Sequence, residues 1–188
     1  MKFVAICLLL CALAAAQESP QKGSHELAFW LSGGRGTTGQ FSDTGVLLGA
    51  LRYGWVLTGT HGPGPLRGNF EYAVDAIPMF LVFQRNNAYG AGINPFVLRW
   101  NFTAPRRIVP YLELGGGVLF TSQPVPPGTS RVNFTPGAAF GVQLTGHRWN
   151  PLLAVRYMHI SNAGLSEPNP GVNTVQFTVG LNRFSRRH

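Results

Sequence analysis

A chain of 188 residues is long enough for one domain, but with only 12 % charged residues it lacks the polar surface of an ordinary water-soluble globule. The formal charge is +8 and rests almost wholly on arginine. Both cysteines, Cys7 and Cys11, fall in an N-terminal apolar run, which excludes a disulfide framework or thiol chemistry from the remainder.

In chain order, the first element is that apolar run. Lys2 supplies a short positive start, Phe3 to Ala16 is unbroken apolar sequence, and Ala14-Ala15-Ala16 places small residues ahead of Gln17. This pattern reads as a cleavable export signal over 1–16, with the mature domain spanning 17–188. The run is too short for a membrane helix, which needs ~20 apolar residues. Cys11 follows Leu10 rather than a small residue, which argues against a lipoprotein anchor. Loss of Lys2 lowers the charge from +8 to +7 and leaves Lys22 as the only lysine. An exported basic protein rarely meets nucleic acid, so anionic lipid head groups are the expected partner.

Beyond the signal, apolar residues recur with period two rather than at helical spacing. Runs near 25–33, 45–57, 67–83, 91–103, 107–120, 130–145, 149–161 and 172–184 read as strands. Phe96, Leu98, Trp100 and Phe102 share one face, opposite Val97, Arg99 and Asn101. Val175, Phe177, Val179 and Leu181 likewise oppose Gln176, Thr178, Gly180 and Asn182. One face is large and apolar while the other is small, polar or charged. Lipocalin-like soluble barrels give the same alternation. Aromatics near strand ends (Trp30, Trp55, Tyr72, Trp100, Tyr111 and Trp149) match interface girdles and turn the reading toward the membrane. The expected fold class is all-β, an antiparallel transmembrane barrel of about eight strands with its apolar face toward lipid.

An even strand count puts both termini in the periplasm. Connections near 34–44, 84–90, 121–129 and 162–171 are then external, and those near 58–66, 104–106 and 146–148 periplasmic. Arg52, Glu71, Asp75, Arg99, Glu113 and Arg156 fall on the inward face and must pair there, because unpaired buried charge is costly. So narrow a barrel is filled by side chains, which argues against a porin.

Gly34-Arg35-Gly36-Thr37-Thr38-Gly39 matches a dinucleotide fingerprint, but that motif works only where it opens a helix in a βαβ unit. No such unit follows, and an external loop accounts for the glycines. Asn101-Phe102-Thr103 and Asn133-Phe134-Thr135 match glycosylation acceptors but lie within strands. Nothing in the sequence calls for a cofactor or a metal.

The informative stretch runs from Arg156 to Asn173. Positions two apart on a strand share a face, so His159 and Ser161 extend the apolar row of Leu153, Val155 and Tyr157 toward lipid. They sit at the outer end of an upward strand. Polar atoms at a lipid boundary need partners. Either the two lie just above the membrane and are solvated, or the histidine takes the serine proton and generates a nucleophile for an acyl ester.

His159-Ile160-Ser161-Asn162-Ala163-Gly164-Leu165, followed by Pro168-Asn169 and Gly171, resembles the signature of the PagL-type lipid A 3-O-deacylases. That family carries a Ser-His-Glu triad on the lipid-facing surface of an outer-membrane barrel. It hydrolyses the ester-linked acyl chain at position 3 of lipid A, the lipid moiety of lipopolysaccharide. The resemblance implies His159 as general base, Ser161 as nucleophile, and Asn162, Gly164 and Asn169 as oxyanion donors, with the Asn169 side chain preferred. One such donor is worth ~10²–10³ in rate.

Where the family has its glutamate, this sequence has Asn173, which shares parity with Val175 and Phe177. An asparagine can accept a hydrogen bond from the histidine but cannot neutralise the imidazolium. Glu167, in the intervening loop, is the alternative acid. Two functions follow: an outer-membrane serine esterase acting on lipid A, and a non-catalytic small barrel with a structural or adhesion role.

Overall fold

Period-two alternation gives each strand one large apolar face, and a closed sheet is the arrangement that turns all such faces outward without leaving an edge. The computed structural model describes residues 20–37, 39–103 and 107–185, so the expected export signal at 1–16 and the turn at 104–106 lie outside it. The strands are β1 (His25–Gly36), β2 (Gly45–Val56), β3 (Gly68–Phe83), β4 (Ala88–Phe102), β5 (Ile108–Thr121), β6 (Val132–Phe134), β7 (Gly137–Leu144), β8 (Asn150–Ile160) and β9 (Val172–Phe184). Each pairs antiparallel with its neighbours, and β1 meets β9 from Glu26↔Phe184 to Gly36↔Thr174, which closes the barrel. β6 and β7 both pair with β5 and are two parts of one stave, giving eight staves in all.

The expected continuous strand at 130–145 is therefore interrupted at Thr135-Pro136. Proline has no N–H for the ladder. Thr135 N–H donates to Gly117 O at 3.0 Å, and Pro136 O accepts the His159 N–H at 2.9 Å, so the break stays stitched to both neighbours.

The inward face is polar toward one end and apolar toward the other. Arg52 donates to both oxygens of Asp75, at 2.6 and 2.8 Å, and to Glu113. Arg99 and Arg156 converge on the same Glu113 at 3.0 and 2.8 Å. Glu71 lies 3.9 Å from Arg99 and accepts from Asn101. All six residues expected to pair inside do so, and Glu26 joins them through Arg99 at 2.8 Å. Charge-assisted contacts of this kind offset the desolvation of the buried ions. Above the network, Leu48, Phe80, Leu119, Met158, Ile160 and Val172 pack as a dry plug.

Two aromatics expected in the girdle are not there. Trp30 and Tyr111 are 3 % and 2 % exposed and point inward, where the guanidinium groups of Arg156 and Arg99 lie 4.8 and 4.4 Å from their ring centres. Their strand parity, shared with Glu26 and Glu113, outweighs closeness to a strand end, and a cation over the ring face rewards it. The girdle is formed instead by Tyr53, Trp55 and Tyr72 in successive contact, with Trp100 and Trp149 further round.

Candidate active site

Strand β8 alternates strictly: Leu153, Val155 and Tyr157 are exposed on the outer face, while Leu152, Ala154, Arg156, Met158 and Ile160 are buried inside. His159 continues the outer row, half-buried. The partner strand is in register with it, His159 facing Asn173 across the β8–β9 ladder. Ile160 and Val172, fully buried in the plug, lock that register, because a one-residue slip on either strand would expose them.

The register brings the two side chains into contact. His159 Nδ1 lies 2.7 Å from Asn173 Oδ1. An amide oxygen only accepts, so Nδ1 carries the proton; in the neutral imidazole this leaves the lone pair on Nε2, the tautomer required of a base acting through Nε2. The Tyr157 hydroxyl donates to the same oxygen, also at 2.7 Å. Tyr157 was read from sequence only as part of the apolar row; its position two residues before His159, on the same face, was the available signal.

Gly171 is a second residue whose role the sequence left unassigned. Its φ of +65° lies in the left-handed region, and a β-carbon there would come within 2.6 Å of His159 Cε1 and 3.1 Å of Nε2. The imidazole edge thus rests where any other residue would project.

Ser161 stands just past the end of β8, where it forms an isolated bridge to Phe134 of β6: Phe134 N–H donates to Ser161 O at 2.7 Å, and Ser161 N–H to Phe134 O at 3.1 Å. The serine backbone is therefore held to β6 through both its N–H and its carbonyl, and the residue is 8 % exposed. Among the described residues no hydrogen bond joins its hydroxyl to the His159 ring. Such contacts are often long in the unliganded state and tighten on binding substrate.

The loop 161–171 is ordered by asparagine side chains. Asn162 Oδ1 accepts the Gly164 N–H at 2.8 Å, while its Nδ2 donates to Ser166 O at 2.9 Å and Ser166 Oγ at 3.0 Å. Asn169 Oδ1 accepts the Asn162 N–H at 3.1 Å. Of the expected oxyanion donors, the backbone N–H groups of Asn162 and Gly164 are thus engaged inside the loop. Among the described residues the Asn169 amide nitrogen has no hydrogen-bond partner. Glu167 is exposed and bonded to neither His159 nor Ser161, so the alternative acid is not brought to the site.

Beside Ser161, on the side away from Asn173, the outer wall carries an apolar groove of about 500 Å³. Its walls include Phe96, Leu98, Leu114, Phe134 and Pro136, and Gly115-Gly116-Gly117 forms the floor. The floor is low because Gly116, on the outer face, abuts Pro136: a β-carbon there would be 3.1 Å from Pro136 Cα. The groove and Asn173 thus lie on opposite sides of β8, the strand that carries His159 and leads into Ser161.

A family model described as Lipid A 3-O-deacylase (PagL) matches residues 48–182. Among solved structures, that of the outer membrane enzyme PagL superposes with a TM-score of 0.60 and 21 % identity, over 82 % of this chain and 97 % of that one. The outer membrane protein OprG from Pseudomonas aeruginosa gives 0.54 and 10 %, over 90 % of this chain and 99 % of that one. Neisserial surface protein A gives 0.55 and 12 %, over 86 % and 99 %. Comparison with curated proteins yields no match.

Proposed function

The chain belongs to the lipid A 3-O-deacylase (PagL) family, and from that we propose that it is an outer-membrane serine esterase that removes the ester-linked acyl chain at position 3 of lipid A. The observation that carries the reading is the 2.7 Å contact between His159 Nδ1 and Asn173 Oδ1 on the outer face of the barrel, two residues along the chain from Ser161. The end bearing loop 161–171 then faces outward, and the site sits at the level of the outer leaflet, where lipid A resides.

The chemistry follows from the placement of the groups. The acyl chain lies in the groove and its ester carbonyl over Ser161. Ser161 Oγ attacks the carbonyl carbon while His159 Nε2 takes the hydroxyl proton. Collapse of the tetrahedral adduct breaks the ester C–O bond, and the sugar oxygen leaves with the proton returned by Nε2. Water, deprotonated by the same nitrogen, then releases the fatty acid from the serine. The Asn169 amide N–H is the side-chain donor we assign to the oxyanion. No metal or cofactor enters the scheme.

The test is mass spectrometry of lipid A from cells producing the protein. Wild type should yield lipid A lacking one ester-linked acyl chain. Ser161→Ala and His159→Ala should leave it intact while still folding, as shown by heat-modifiable migration on gels, because nucleophile and base act as a unit. Wild-type activity in either folded variant refutes the assignment. The amide at position 173 favours a second reading, a non-catalytic barrel with a structural or adhesion role. It stands if wild type releases no fatty acid.

A further inference from the structure

The barrel's two ends differ in charge. The end carrying the start of β1, the close of β4 and of β9, the start of β5 and the connections 57–67 and 145–149 exposes Lys22, Arg67, Arg107, Arg148 and Arg183. None of these five forms an ion pair with a described residue. The chain's seven side-chain carboxylates lie elsewhere or outside the described residues. Glu26, Glu71, Asp75 and Glu113 are inside the barrel, Asp43 and Glu167 are exposed in the loops of the opposite end, and Glu18 is not described. At that opposite end the cations are diluted, Arg35 being paired with Asp43 at 3.0 Å.

The five cations are spread around the rim of their own end of the barrel, near the ends of different strands. Arg67 O accepts the Thr103 N–H at 2.7 Å, tying it to the next turn. Arg107 O accepts the Thr145 N–H at 2.7 Å, and the Arg107 side chain lies across Gly146, beside Arg148. Arg183 continues the outward face of β9 directly below Val179 and Leu181, where the apolar band ends. The aromatic girdle of Trp55, Tyr72, Trp100 and Trp149 sits at the same end.

We propose that this cationic rim is a binding surface for anionic phospholipid head groups in the leaflet that meets the turn end. A girdle of tryptophan and tyrosine fixes that end at a head-group layer. Guanidinium groups there, with no carboxylate among the described residues to satisfy them, are matched by phosphates in charge and in bidentate geometry. The rim biases the lipid neighbours of the barrel toward acidic species and holds the barrel at a fixed depth. This goes beyond the esterase reading and does not depend on catalysis.

Three of the four tryptophans lie at this end, and the fourth, Trp30, is buried inside. The experiment is therefore quenching of tryptophan fluorescence in the folded barrel by brominated phosphatidylglycerol and, separately, by brominated phosphatidylcholine, in mixed vesicles. The acidic lipid should associate about threefold or more over the neutral one at low salt. The preference should fall toward unity in 1 M salt, where charges more than about 3 Å apart are screened. It should also vanish in the combined Arg67→Gln, Arg107→Gln, Arg148→Gln, Arg183→Gln variant and persist when the same positions carry lysine. Equal quenching by both lipids in the wild type at low salt overturns the proposal without reference to any variant. If wild type shows no lipid preference but co-sediments with peptidoglycan through these arginines, the rim serves the cell wall instead. Loss of lipid A hydrolysis in a parallel assay leaves this measurement untouched, so the two readings fail separately.

Discussion

Asn173 Oδ1 accepts two hydrogen bonds at 2.7 Å, from His159 and from Tyr157. A carboxylate in that position has two oxygens for the two donors and a charge to set against the imidazolium; the amide has one acceptor and no charge. Asn173→Glu should therefore raise initial rates on purified lipid A about 10-fold, short of the ~10⁴ seen for an acid-to-amide change in a protease because the new charge is partly desolvated. Asn173→Ala should lower the rate below wild type, and Glu167→Gln should leave it unchanged. Tyr157 keeps the amide oxygen turned toward the ring, since a phenol donates more readily than it accepts. Tyr157→Phe allows the amide to rotate and present its NH₂ to Nδ1, which moves the imidazole proton to Nε2 and removes the base. The expected loss is about fivefold in kcat with KM unchanged, the worth of roughly 1 kcal/mol for a neutral hydrogen bond. Gly171→Ala places a methyl 2.6 Å from His159 Cε1 and must displace the ring. A shift of about 1 Å at such a base should lower kcat ~100-fold with the barrel still folded.

At the scale of elements, the break between β6 and β7 determines the shape of the surface beside the nucleophile. Pro136 leaves the ladder, Phe134 pairs with Ser161 across the gap, and the Gly115-Gly116-Gly117 run of β5 leaves a trough that side chains would otherwise fill. The trough is of a kind suited to an acyl chain, being apolar and continuous with the lipid-facing band. Leu114→Trp should obstruct it. Rates on lipid A with long 3-acyl chains should fall through a raised KM, while a short-chain ester, which does not reach Leu114, should turn over as in wild type. Equal inhibition of both esters removes the groove from the mechanism.

For the molecule as a whole, stability rests on an interior unlike that of a soluble protein. Glu113 accepts from Arg52, Arg99 and Arg156 and is 1 % exposed, so three guanidinium groups depend on one carboxylate. Breaking a buried ion pair by removing one partner is destabilising by ~3–5 kcal/mol. Glu113→Gln should lower the denaturant midpoint of the refolded barrel accordingly, with Glu167→Gln, a change of equal charge in an exposed loop, as the silent control. Among the described residues the outer surface contributes no comparable buried ion pairs. Leu27, Phe29, Leu31, Phe96, Phe140 and Phe177 are all at least 45 % exposed, a surface satisfied by lipid rather than by protein.

Much of this was legible in the sequence because strand alternation is a local property. The expected run at 45–57 is the observed Gly45–Val56, and 172–184 is the observed Val172–Phe184. Parity alone put Arg52, Glu113 and Arg156 inside and aligned His159 and Asn173 with the outward row, whereas Ser161, past the end of β8, is buried. What parity does not contain is the partner. Glu26 meets Arg99, 73 residues away, only because β1 closes on β9 and the barrel brings the two across its interior. Trp30 and Tyr111 follow their own parity inward, against the expectation from strand-end position, and only the cations that meet their rings come from other strands. The break at Thr135-Pro136 and the left-handed turn at Gly171 likewise answer to neighbours from β5 and β8. The sequence thus determined the faces of the strands, through a period set by the backbone. The tertiary structure decided which faces meet, because pairing and register depend on groups far apart in the chain.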